Sequence, residues 1–138
     1  HITEAGQHLM DEFGLKPQDF AYAIFHQPNT KFPQRAAQLL GFTPEQIKPG
    51  LLSPVIGNTY AGAAMIGLTA TLDVAKPGDR ILMVSFGSGA GSDAFLIDVT
   101  PALDERRNLA PRTQDYIARR TQIDYAEYVR MRGKIALE

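Results

Sequence analysis

FAYAIFHQPN, residues 20–29, is the stretch on which the fold of this chain turns. Residues 20–25 are almost continuously apolar, the pattern of a short strand covered on both faces, as in a parallel sheet. His26, Gln27, Pro28 and Asn29 follow at once, so the chain leaves the carboxyl end of that strand in a polar loop. Upstream, Ile2, Ala5, Leu9, Met10 and Phe13 recur at helical spacing, and Gly14 stops them. Downstream, Thr30 is suited to cap a second helix with apolar Phe32, Ala36, Leu39 and Leu40, closed by Gly41. Residues 43–49 (TPEQIKP), with two prolines, read as a connector.

The second half repeats the alternation. GNTYAG, residues 57–62, leads into a helix expected over residues 61–75, rich in Gly and Ala and apolar nearly all round. Small side chains let such a helix lie close against its neighbours, as in a central buried position. KPGD at 76–79 is a turn. Residues 80–86 (RILMVSF) and 92–99 (SDAFLIDV) read as strands joined by the glycine-rich turn GSGAG at 87–91, so they are expected to pair as a hairpin. After Pro101 the sequence becomes polar and arginine-rich and ends in a basic, helical tail. The order predicts an α/β fold with a mixed sheet and helices on both faces, in two parts: a core over 1–100 and a tail over 101–138 that packs on the core or on a partner.

Composition narrows the function. The 138 residues suffice for one domain with a core, and 14 basic against 15 acidic side chains leave a net charge of −1. A general nucleic-acid binder would carry a basic excess, so no nucleic-acid partner is expected. No run approaches the ~20 apolar residues of a membrane span, so no membrane partner is expected either. There is no cysteine, which removes disulfides and cysteine-ligated zinc. The histidines His1, His8 and His26 have no metal-ligand spacing, so no metal is expected. A cytoplasmic location follows from the absence of a signal-like N-terminus. The chain opens on His1 rather than Met, and its first residues are already helical, as expected of a start inside a longer protein.

Each candidate site residue has two readings. His26, at a strand's carboxyl end, is placed as catalytic groups often are in α/β folds and suits general acid/base work; equally, it is a strand-end histidine bonded to backbone. Asn58 can donate its amide to a substrate carbonyl, or it is an N-cap. Residues 86–91 (FGSGAG), with Ser88 at their centre, can present backbone N–H groups to an oxyanion, or form a hairpin whose glycines take positive φ. Lys31 and Arg35, four apart at a helix start, share one face and suit a phosphate, or are a solvated basic pair.

Taken together, HQPN, GNTYAG and SFGSGAG (residues 85–91) resemble, in order and approximate spacing, the C-terminal half of thiolase-fold condensing enzymes of the ketoacyl-synthase-III-like branch. IDYAEYVRMRGKI at 123–135 is most similar to archaeal-type hydroxymethylglutaryl-CoA (HMG-CoA) synthases. The resemblance covers nearly the whole chain. It implies condensation of acetyl-CoA with acetoacetyl-CoA in the mevalonate route to isoprenoids, with both as substrates and no further cofactor. It implies that His26 acts as acid or base on bound acetoacetyl substrate, that Asn58 holds a substrate carbonyl, and that the Ser88 N–H serves the thioester oxygen. Asn29, Lys31 and Arg35 fall near positions that contact coenzyme A.

The departure from the family is the nucleophile. The cysteine that takes the acetyl group and the glutamate that removes its proton would lie in an N-terminal half, on the same or a separate chain, so this chain alone is expected to be inactive. A homodimer of complete units is a further expectation, as is a complex with acetoacetyl-CoA thiolase and a small bridging protein. Two alternatives stand beside this: a ketoacyl-synthase-III-like acyltransferase half, and a non-catalytic scaffold or acyl-CoA-binding subunit of a condensing-enzyme complex.

Overall fold

Apolar runs at 20–25 and 80–84 supply the paired parallel strands of a small mixed sheet. The computed structural model describes residues 1–133. Strand β1 (Tyr22–Phe25) pairs in parallel with β2 (Arg80–Val84), and β2 pairs antiparallel with β3 (Ala94–Asp98), giving the order β1-β2-β3. The strand begins two residues later than the apolar run suggests. Residues 17–19 form a 3₁₀ turn, and Ala21 then reaches the sheet by donating its N–H to the Arg80 carbonyl (2.8 Å).

Strand alternation sorts the core into two layers. Ala23, Phe25, Leu82 and Val84 face helices α1 (Ile2–Glu12) and α2 (Lys31–Leu40), where they meet Ile2, Leu9, Met10, Ala36, Ala37 and Leu40. Ile24, Ile81 and Met83 face the opposite way, with Ala64 of helix α5 (Ala63–Leu72) and with Val99. Both faces of β1 and β2 are therefore covered, which is why their sequences are continuous rather than alternating.

Between α2 and α5 the chain makes two single-turn helices, α3 (Pro44–Ile47) and α4 (Ser53–Ile56). The stretch expected as a connector over 43–49 is thus structured: Thr43 and Gln46 cap each other reciprocally, and Gln46 Nε2 donates to the Pro17 and Phe20 carbonyls, both at 2.8 Å. The α2 cap also differs from expectation. Thr30 is already helical and makes no side-chain cap; Asn29 Oδ1 accepts the Phe32 N–H instead (2.9 Å). Pro28 explains the shift, because it fixes the turn one residue earlier.

Helix α5 is shorter than residues 61–75. Residues 60–62 form a 3₁₀ turn before it, and the chain leaves it at Asp73 toward the KPGD turn, where Lys76 donates its N–H to the Asp79 carboxylate (2.7 Å). The helix is not apolar-buried all round: Ala63, Ala64, Gly67, Ala70 and Thr71 are covered, whereas Met65 lies exposed. Its fit on β1 is close. A Cβ at Gly67 would sit 2.9 Å from Ile24 Cγ2 and 3.0 Å from the Gly50 carbonyl oxygen.

Over its described residues the tail is not one helix but three, α6 (Ala102–Arg106), α7 (Thr113–Ala118) and α8 (Tyr125–Met131). Pro111 interrupts the first gap, and Asp124 starts α8 by capping the Glu127 N–H (2.8 Å). The Arg107 guanidinium donates to the Leu72, Asp73 and Ala75 carbonyls at the C-terminal end of α5, where a cation also meets the negative end of the helix dipole. Asp73 in turn accepts the Thr113 N–H (2.7 Å). The basic end of the expected tail, residues 134–138, lies outside the described residues.

Substituting Gly67→Ala tests this contact. The helix-propensity gain of about 1 kcal/mol is expected to be outweighed by overpacking, for a net loss of about 1–2 kcal/mol, read as a lower urea midpoint. An unchanged or raised midpoint would show that the helix has room to move off the strand.

Candidate active site

Two loops leave the parallel strands β1 and β2 at their carboxyl ends, and a third, residues 57–62, joins α4 to α5. The first carries His26. Its backbone N–H donates to the Val84 carbonyl (3.0 Å), so the ladder between the strands extends one residue past β1 and fixes the histidine's backbone. Its ring lies against Phe86 (centroids 5.7 Å, tilted) and Phe32 (6.4 Å, edge-on). Nδ1 is buried and has no hydrogen-bond partner among the described residues. Burial therefore disfavours the imidazolium and lowers the pKa of His26 below its usual value of 6.5. The side chain is a neutral imidazole near pH 7, half-covered by aromatic rings.

The second loop joins β2 to β3 and carries Ser88. It is a hairpin closed by Ser85 N–H to the Asp93 carbonyl (2.9 Å) and Gly87 N–H to the Gly91 carbonyl (3.0 Å), with Ser92 Oγ donating to the Ser85 carbonyl (2.7 Å). The hairpin reading of the sequence holds here. The turn is a hairpin with left-handed residues, and Ser88 at its exposed tip has a backbone N–H that no hydrogen bond takes up among the described residues. Phe86, one side of the His26 ring, belongs to this same loop.

The third loop, residues 57–62, carries Asn58. Its Oδ1 accepts the Tyr60 N–H (2.8 Å), a local turn of the kind asparagine forms before helices. The amide Nδ2 has no partner among the described residues, and the side chain is exposed. Tyr60 is held at φ +53°, in the left-handed region that non-glycine residues rarely occupy. Such strain concentrates at functional loops.

The structure ties this third loop to the first through Gln27, a residue the sequence reading passed over. Gln27 is 2% exposed. Its Nε2 donates to the Gly50 (2.7 Å) and Ala63 (3.2 Å) carbonyls, and its Oε1 accepts the Leu52 (2.7 Å) and Ser53 (2.8 Å) N–H groups. Nothing local in the sequence marks it, since all four partners lie more than twenty residues away.

Lys31 and Arg35 lie elsewhere. With Gln34, Gln38, Phe42 and Pro44 they line an open groove of about 550 Å³ between α2 and α3. Both are exposed, and Arg35 donates to Gln38 Oε1 (2.7 Å). Asn29 is engaged as the α2 cap. The groove offers two cations and two amides to a phosphate-bearing ligand. No group of three or more potential metal ligands occurs among the described residues, and no described helix is long and apolar enough to cross a membrane.

Comparison with known proteins agrees with this architecture. Residues 10–99 match the family model described as 3-oxoacyl-[acyl-carrier-protein (ACP)] synthase III C terminal. The chain is 63% identical over 97% of its length to a hydroxymethylglutaryl-CoA synthase of Pyrococcus horikoshii, covering 38% of that protein. It is 60% identical over 99% of its length to the synthase of Thermococcus kodakarensis, covering 39% of it. The chain thus spans about two fifths of the length of these curated relatives. Among solved structures, an HMG-CoA synthase of Bacillus subtilis superimposes with a TM-score of 0.73 over 90% of this chain and 35% of its own, at 24% identity, a likeness of fold.

The half-buried His26 has a measurable signature. A histidine whose folded pKa lies below its unfolded value binds its proton first in the unfolded state. Stability is therefore full above pH 6.5 and falls as the pH drops from there to the lowered folded pKa. Urea midpoints measured from pH 8 to pH 5 should decline less steeply in a His26→Asn variant than in the unsubstituted chain. Parallel declines would show that the imidazole titrates as if in water.

Proposed function

The chain belongs to the 3-oxoacyl-[acyl-carrier-protein] synthase III C-terminal family, and from that premise we propose that it is the acid/base and substrate-orienting half of an HMG-CoA synthase. The observation that carries this is the 63% identity, over 97% of the chain, to a protein of that name. The nucleophilic cysteine and the proton-abstracting glutamate come from an N-terminal half, so the described chain by itself forms no acetyl-enzyme.

The reaction divides accordingly. In the N-terminal half, the cysteine thiolate attacks acetyl-CoA, forming an acetyl thioester and releasing coenzyme A. The glutamate takes a proton from the acetyl methyl group. The resulting carbanion attacks the ketone carbon of acetoacetyl-CoA, forming a C–C bond and turning the ketone oxygen into an alkoxide. His26 faces that oxygen. As a neutral imidazole it presents an N–H donor to the growing negative charge and relays to the alkoxide the proton that the glutamate removed, so that the tertiary hydroxyl forms and the ring ends neutral. The aromatic contacts of Phe32 and Phe86 hold its ring and keep it uncharged. The Asn58 amide holds a carbonyl of the acceptor. The Ser88 N–H stabilises the thioester oxygen when it becomes an oxyanion, first on acylation and again when water cleaves the cysteine thioester to release HMG-CoA.

The groove with Lys31 and Arg35 takes the phosphates of coenzyme A, with Asn29 shaping its rim as the α2 cap. The partners expected from the resemblance belong to the same proposal: a second complete unit, and an acetoacetyl-CoA thiolase with a small bridging protein. Tyr125 and Met131, strongly exposed on α8, offer apolar surface for such contacts.

The complete polypeptide should convert acetyl-CoA and acetoacetyl-CoA to HMG-CoA, read by mass spectrometry of the products, and the described chain alone should not. In the complete protein, His26→Ala should lower kcat by about 10²–10⁴-fold. Transfer of the acetyl group to a malonyl thioester in place of acetoacetyl-CoA would favour the ketoacyl-synthase reaction instead. Absence of any acyl transfer would leave a binding or scaffold role.

A further inference from the structure

We infer that Gln27 is a positioning residue that sets the separation of His26 and Asn58 through one buried side-chain amide. This deepens the proposed condensation reading and rests on it. Gln27 follows His26 directly, so anything that holds the Gln27 side chain also constrains the histidine's backbone. Its carbonyl oxygen accepts the N–H groups of Leu52 and Ser53, where α4 begins, the helix that delivers the chain to the Asn58 loop. Its Nε2 donates to Ala63, where α5 begins and that loop ends, and to Gly50. The two helices that flank the loop, α4 and α5, are therefore both tied at their starts to the same planar group, next in sequence to the histidine.

The clasp is full. Oε1 accepts two hydrogen bonds and the amide NH₂ makes two, so every polar site of the side chain is used. It is also polarised in one sense only: the oxygen faces donors and the nitrogen faces acceptors. A group of the same shape with oxygen at both positions would turn one side of the clasp from attraction to repulsion. The amide uses the space that glycine leaves on α5, since a Cβ on Gly67 would come within 3.1 Å of Nε2.

Gln27→Glu makes that exchange. Above neutral pH its second carboxylate oxygen opposes the Gly50 and Ala63 carbonyls; when protonated, the acid regains one donor. In the complete protein the variant should lose about 10–100-fold in kcat at pH 8, the effect of an ångström-scale misplacement, with KM for acetoacetyl-CoA within about threefold of the unsubstituted value. The loss relative to the unsubstituted protein should shrink as the pH is lowered to 6. In an Asn58→Ala background, Gln27→Glu should cost much less than it does alone, because Asn58 is one of the two groups it positions. If the glutamate variant does not fold, Gln27→Asn, one methylene shorter, enters the same cycle.

Hydrogen exchange gives a readout independent of turnover. Amides at 52, 53 and 57–62 should exchange at least about tenfold faster in the variant, with β2 unchanged. Additive effects of the two substitutions, unchanged kcat, uniform loosening of the whole sheet, or failure of both Gln27 variants to fold would overturn the assignment and make Gln27 a purely structural residue. An unsubstituted complete protein with no condensing activity would instead refute the functional reading, and exchange in the 52–62 segment would still decide whether the clasp exists.

Discussion

Helix α5 can lie on β1 only because two positions carry no side chain. Gly67 on the helix and Gly50 before α4 meet there, and the backbone comes so near that a methyl group at Gly67 would be driven into Ile24 and the Gly50 carbonyl. Interiors pack at crystal-like density, so such a contact is occupied or forbidden by single atoms. Thr71 completes it from one turn further along, its hydroxyl donating back to the Gly67 carbonyl (2.9 Å). With α5 fixed against β1, the sheet has both faces covered, the residues after Leu72 fall where Arg107 and Thr113 reach them, and the loops at both ends of α5 have a rigid base. The site is built on loops, but the loops hang from this contact.

Much of the fold was legible because its signals are local. Continuous apolar runs marked β1 and β2, the glycine-rich turn at 87–91 marked the hairpin, and Gly41 marked the end of α2, which it closes at φ +85°. The mixed α/β sheet follows from those elements in that order, whereas the thiolase-like class was carried by the resemblance of the loop motifs. What the sequence hid was decided by competition or by distance. Thr30 is a good cap residue, yet Asn29 one position earlier takes the role. The arginine-rich tail has helical composition throughout, yet it breaks into three pieces, the first two held by tertiary bonds to the end of α5. The 43–49 segment reads as a linker, yet Gln46 is bonded to carbonyls more than twenty residues away.

The candidate site was legible to a similar degree. His26 and Ser88 stand on the loops that follow β1 and β2, which touch through Phe86, and Gln27, next to His26, is bonded to the elements that flank the Asn58 loop. Lys31 and Arg35 do not join them; they line a separate groove along α2. No single spacing in the sequence separates these two groups, because residues 26–35 run continuously from one to the other. The environment of His26 was not readable either. Its neighbours Phe32 and Phe86 come from a helix and a hairpin 54 residues apart in number, and burial where they converge lowers the pKa of the imidazole and encloses Nδ1. Left-handed backbone at Tyr60 and Ala90 in the other two loops marks local strain held in place by the scaffold, as is common where geometry serves binding.

The central claim is a division of labour: the acetyl group is loaded by residues outside this chain and condensed with the help of His26. Intact-mass spectrometry of the complete polypeptide carrying His26→Asn, mixed first with acetyl-CoA and then with acetoacetyl-CoA, tests it directly. The account predicts full addition of one acetyl group per polypeptide, which then persists because condensation stalls. An enzyme that is never acetylated, or one that discharges its acetyl group into HMG-CoA as fast as the unsubstituted protein, would contradict it.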